Sequence, residues 1–212
     1  MKCAIIDNGE WIDHNAGPNA QPRTSGIHLS GVIQHIALLT GRLEKDDQEM
    51  LTGFSLETKL MMALGLAWED WLAHQLPHVD YHFGELSLDN ILCTPDGLDI
   101  ANDTLYEFKT TRKSSFRVLD NYDKQWMWIS QNQGYLKMLG WTKVRQIIYF
   151  INGDYRPMLP QVITLGIEYS QAEIDSNWAL MLKYRDAATP ESHPPITYPP
   201  AGPDVGDGDN LI

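Results

Sequence analysis

A chain of 212 residues, 43% hydrophobic and 21% charged, has the balance of an ordinary globular protein and enough apolar material for one substantial core. It has no run of eighteen apolar residues, which excludes a membrane-spanning helix, and its two cysteines, Cys3 and Cys93, exclude a four-cysteine zinc or iron-sulfur site. A net charge of −12 disfavours a protein that grips nucleic acid through bulk positive charge, although Lys109, Arg112, Lys113 and Arg117 form a local basic cluster with no acid among residues 109–117.

In chain order, Met1 to Asp7 reach charge too soon for a signal peptide, so a cytoplasmic protein is expected. Residues 7–26 are rich in Gly, Pro, Asn and Asp and predict a loop. Ser30 is placed to cap a short apolar helix from Gly31 to Leu39, closed by Gly41. Ser55 caps a second helix running to about Gln75, before Pro77, with Leu60, Met61, Leu64, Trp68, Trp71 and Leu72 at helical spacing. The period then shortens, and strands are expected near 79–83, 86–93 and 104–110. A helix follows over about 124–139 up to Gly140, then strands near 143–151 and 160–168, and a last helix over 171–186.

From Thr189 the composition changes. Six of the twelve prolines lie in 190–203, and no Lys or Arg follows Arg185. Such a segment has too little apolar surface to offset its ordering entropy, so 1–188 is expected as one domain, its core at about 55–186, with 189–212 a disordered acidic tail. The element order implies an α/β (α+β) fold in which helices flank a mixed central sheet.

The chemistry concentrates in Cys93-Thr94-Pro95-Asp96-Gly97-Leu98 and Leu105-Tyr106-Glu107-Phe108-Lys109-Thr110. Residues two apart on a strand share a face, so Glu107 and Lys109 project together while Phe108 faces the core. An acid arriving from the preceding turn can join them. Two carboxylates and a backbone carbonyl make an oxygen-rich site suited to Mg²⁺, and a neighbouring lysine can orient a water for attack on phosphorus. Thr-Pro-Asp-Gly is also an ordinary β-turn sequence, and Asp89 and, more distantly, Asp99 are rivals to Asp96.

Pro-Asp, ten residues, then Glu-x-Lys resembles the signature of the PD-(D/E)XK nucleases. The longer string is similar to the viral recombination exonucleases of the phage lambda and YqaJ-like types. Glu69, in Gly65-Leu66-Ala67-Trp68-Glu69, matches a further acid on the helix before the sheet. Gln131-Asn132-Gln133-Gly134-Tyr135 resembles a Gln-containing motif of the viral exonucleases and the Gln-x-x-x-Tyr motif of RecB-like nucleases.

The resemblance, over about residues 60–155, implies a restriction-endonuclease-like core. It implies a metal held by Asp96, Glu107, Glu69 and the Phe108 carbonyl, with Lys109 serving the water and Gln131 supporting the site. Thr110, Arg112, Lys113 and Tyr135 are the expected nucleic-acid contacts. RecB-type enzymes place a histidine at the metal, which makes His74 possible there, but a lone histidine is more often structural and none is assigned. The implied activity is Mg²⁺-dependent hydrolysis of DNA through a metal-activated water, with Mn²⁺ able to substitute, in phage recombination or replication. The alternatives are a RecB-like or CRISPR-adaptation-type nuclease, an endonuclease of the same fold, and a non-catalytic binding protein. Further expectations are a recombination or single-strand-binding partner for the tail, and a homo-oligomer that shares the DNA grip.

Overall fold

The computed structural model describes residues 25–42, 56–81, 83–152 and 160–186; Ser55, most of the expected N-terminal loop and the expected tail lie outside them. Strand β1 (Ile27–His28) leads directly into helix α1 (Leu29–Leu39). Leu29, Val32, Ile33 and Ile36 recur at helical spacing and bury one stripe of α1. The helix begins after His28 rather than after Ser30, and no side chain caps it. The cause is tertiary: parallel pairing with β3 holds His28 extended, which pushes Ser30 into the first turn.

Helix α2 (Leu56–Gln75) stops before Pro77 as the sequence predicts. It buries Leu72 and packs Trp68 on the sheet, joined by Leu76 just past its end, while Leu60, Leu64 and Trp71 stay exposed. The strand expected at 79–83 reduces to a single bridge between Asp80 and Leu98. The strand expected at 86–93 is a hairpin of β2 (Leu86–Leu88) and β3 (Ile91–Cys93). Asp89 and Asn90 make its turn with φ of 51° and 63°, a left-handed pair whose twist matches that of the flanking strands. With β1 the hairpin forms a three-stranded sheet in the order β1-β3-β2.

The second sheet, in the order β4-β5-β6-β7, contains β4 (Gly97–Asp99), β5 (Thr104–Thr111), β6 (Lys143–Phe150) and β7 (Gln161–Glu168). It is mixed: β5 and β6 run parallel, and the outer pairs are antiparallel. A parallel step needs a crossover. Here it is made by α3 (Ser115–Leu119), a 3₁₀ turn (Tyr122–Lys124) and α4 (Trp126–Leu139). Neither β4 nor α3 was expected, since three to five residues carry too little periodicity to show. Gly140, at φ 72°, ends α4. Helix α5 (Gln171–Arg185) opens with a capping box between Ser170 and Glu173.

Helices therefore flank the mixed sheet. On one face α1, α4 and α5 enclose Leu29, Ile36, Leu105, Leu136, Val144 and Met181. On the other, α2 covers Tyr106, Phe108 and Ile147. Helices α1 and α4 meet at Gly134, where a β-carbon would lie 2.6 Å from Leu29 Cδ2. Gly134→Ala is therefore expected to destabilise the protein by about 1–3 kcal/mol through overpacking. Urea denaturation measures this, and an unchanged midpoint would refute the close approach.

Candidate active site

The alternation of β5 sorts its side chains between two faces. Tyr106 and Phe108 pack toward α2, as does Thr110, whose Oγ1 lies 3.4 Å from where a β-carbon on Gly65 would stand. Leu105, Glu107 and Lys109 occupy the face toward α4. In the β4–β5 ladder Gly97 pairs with Tyr106, so one further step brings Asp96 beside Glu107. The Phe108 N–H donates to Asp96 Oδ2 at 2.7 Å and fixes the aspartate there.

Glu107 is wholly buried. Lys109 Nζ donates to its Oε1, and also to Gln131 Oε1 at 2.9 Å. Gln131 Nε2 in turn donates to the Tyr135 hydroxyl at 2.7 Å, one turn further along α4. Glu107 Oε2 is buried and receives no hydrogen bond from an N–H or hydroxyl donor. A hydrogen bond between the Asp96 and Glu107 carboxyls raises Glu107 and lowers Asp96, so the proton of the pair sits on Glu107. Once that proton leaves, a buried carboxylate oxygen without a donor is costly unless a cation reaches it.

Glu69 joins the group electrostatically from α2. Burial, and then the charges of Asp96 and Glu107, push its carboxyl up to about 8 against the pull of Lys109. Glu107 is likewise pushed up to about 8 by burial and by Asp96. Burial also raises Asp96, against the attraction of Lys109 and the Phe108 N–H. For Lys109, burial disfavours the ammonium, but Glu107, Asp96 and Glu69 overcome it and its pKa rises. One lysine cannot balance three acids, so protons remain on the carboxyls.

Among the described residues no three histidine, cysteine, aspartate or glutamate side chains stand together at metal-holding distances. The fit to a divalent ion is therefore chemical: hard oxygen donors, a buried carboxyl pair that shares a proton, and more acids than a single lysine balances.

The structure thus brings Asp96, Glu107, Lys109 and Gln131 into contact, with Glu69 near enough to feel their charges. Asp89 lies elsewhere, in the β2–β3 turn, where its Oδ2 accepts from Trp178 Nε1 at 2.9 Å and its carbonyl from Arg185 at 3.0 Å. Asp99 caps the 3₁₀ turn through Asn102. Tyr135 is only 5% exposed, so it steadies Gln131 instead of offering a surface to a nucleic acid. Arg112 is exposed and Lys113 half-buried, directly after β5. His74 accompanies the Asp70 carbonyl, and His78 the Tyr106 hydroxyl.

Sequence reasoning missed the polar layer behind Glu107. Gln146, its register partner on β6, is fully buried. Its Oε1 accepts from the Tyr122 hydroxyl at 2.6 Å and from Asn132 Nδ2 at 2.9 Å. The signal was present, because Val144, Gln146, Ile148 and Phe150 share the inward face and Gln146 alone of the four is polar.

The fold is shared with two solved exonucleases. A phage-related exonuclease from Haemophilus somnus 129PT superposes with a TM-score of 0.52 at 9% identity, over 78% of this chain and 94% of the other. LHK-Exo in complex with dAMP, an alkaline exonuclease from Laribacter hongkongensis, gives 0.51 at 16% identity over 77% and 87%. No family model matches the sequence, and no curated protein matches it. Among the described residues no helix is long and apolar enough to cross a membrane.

Proposed function

We propose that the protein is a Mg²⁺-dependent deoxyribonuclease that degrades DNA from an end, in the manner of phage recombination exonucleases. The observation that carries this reading is the meeting of Asp96, Glu107 and Lys109 on β5 and its neighbouring turn, with the two carboxyls buried against each other and no N–H or hydroxyl donor on Glu107 Oε2. Its setting in a fold shared with two exonucleases supports it, and the dAMP in the LHK-Exo structure points to DNA as substrate.

In this reading Asp96 and Glu107, with Glu69 and the Phe108 carbonyl, hold the ion, and Mn²⁺ can replace it. When bound, the ion polarises the scissile phosphate and makes water a better nucleophile. Lys109, an ammonium held between Glu107 and Gln131, orients the attacking water. Gln131 keeps that lysine in place and is itself held by Tyr135. Arg112 and Lys113 meet backbone phosphates beside the site.

Gln131→Ala is expected to lower kcat by about tenfold by freeing Lys109, about 1.4 kcal/mol of transition-state stabilisation, with the melting temperature little changed. An unaltered kcat would remove Gln131 from the account. End-labelled linear duplex and covalently closed circular DNA, incubated with Mg²⁺, Mn²⁺ or EDTA, test the proposal as a whole. Metal-dependent loss of the linear DNA alone is expected. Cutting of the circle would make the enzyme an endonuclease, and no cleavage by folded protein at low salt would overturn the reading.

A further inference from the structure

A cleft of about 410 Å³ opens at the Thr104 end of β5, on the α2 side of the sheet and away from Lys109 and Gln131. It is lined by His78, Asp99, Asn102, Tyr106, Lys143 and Arg145, among others. Tyr106 is nearly inaccessible, and its hydroxyl organises the cleft: Arg145 Nη1 donates to it at 3.3 Å, and His78 Nε2 lies 3.0 Å away. The Arg145 guanidinium also stands over the Tyr106 ring, 5.7 Å from its centre.

Lys143 precedes Arg145 by two residues and shares its face of β6. Neither cation forms an ion pair among the described residues, although the chain carries a net charge of −12. The acid in the lining, Asp99, is turned inward: Oδ1 accepts from the Asn102 N–H at 3.2 Å and Oδ2 from Asn102 Nδ2 at 2.8 Å. Glu168, opposite Lys143 across β6–β7, is exposed and unpaired with it.

We propose that this cleft binds a phosphate group. A guanidinium held in a fixed orientation offers paired donors that match phosphate oxygens, and Lys143 adds a point charge beside it. The phosphate can belong to the backbone of a nucleic acid or to a free phosphate or mononucleotide, and the two sources are separated below. Binding here requires no divalent ion and does not depend on the nuclease reading.

The test is fluorescence anisotropy with a labelled duplex oligonucleotide in EDTA, for the full chain and for Lys143→Ala combined with Arg145→Ala. The single variant Lys143→Gln, at an exposed position, guards against misfolding, and circular dichroism checks each protein. The double variant is expected to bind at least about tenfold more weakly at low salt, with a salt slope shallower by about 1.8. In a second arm, inorganic phosphate and dAMP are titrated while the Arg145 side-chain NMR signal is followed. A shift there with unchanged oligonucleotide binding would keep the phosphate site and make its ligand a small phosphate. No shift together with unchanged oligonucleotide affinity and slope would overturn the proposal.

Discussion

Lys109→Ala is expected to reduce DNA hydrolysis by about 10²–10³-fold, the range for losing one preorganised charged donor in the transition state, while costing little stability. The two effects separate because of the burial of Glu107. Removing one partner of a buried ion pair ordinarily costs about 3–5 kcal/mol, since the other charge is left alone. Glu107 has an escape: burial and Asp96 have already pushed it up to about 8, so without Lys109 it remains protonated at neutral pH. Gln131 loses one hydrogen bond but keeps Tyr135. Steady-state kinetics and thermal melting of the same preparation measure both quantities. A rate within threefold of wild type would take Lys109 out of the chemistry. An equally large loss of stability would make the lysine a structural counter-charge.

Metal binding is expected to strengthen steeply between about pH 6 and pH 8. The sign follows from the acids. Glu69 and Glu107 are raised from 4.5 to about 8 by burial and then by the charge of Asp96, so the folded chain holds protons that the unfolded chain has released across that window. Without metal, stability therefore falls as pH rises from about 4.5 to 8 and levels off above it. A divalent ion must displace those protons, so its apparent affinity rises by about tenfold per pH unit for each proton released. The increase in melting temperature on adding Mg²⁺ should thus be small at pH 5.5 and largest near pH 8. Glu69→Gln should flatten the dependence by one proton. Calorimetric titration at several pH values measures the affinity directly, and an affinity constant across this range would refute the picture of protonated carboxyls.

The long periodic elements were legible because each buries a continuous face. The stripe of α1, the inward residues of β6 and the stop of α2 before Pro77 are written in local pattern. What the pattern could not carry was set by partners distant in sequence. Pairing with β3 moved the start of α1 from Ser30 to His28, and β4 exists because Leu98 and its neighbours pair with β5 and bridge to Asp80.

The candidate site was legible from spacing, since Glu107 and Lys109 share a face by strand geometry alone. Resolving Asp96 from Asp89 required the fold: the first is held by the Phe108 N–H, the second by Trp178 at the far end of the chain. Gln146 escaped because a single polar residue in an apolar strand reads as an irregularity until its partner, Glu107, is known.

The proposed chemistry requires that these carboxylates hold a divalent ion. Mn²⁺ titrated into the protein and followed by electron paramagnetic resonance is the most direct test, comparing wild type with Asp96→Asn and Glu107→Gln at pH 8. Loss of the free-ion signal with wild type, and its persistence with either variant, is the predicted result. Equal binding by all three proteins would place the metal elsewhere and contradict the assignment of Asp96 and Glu107.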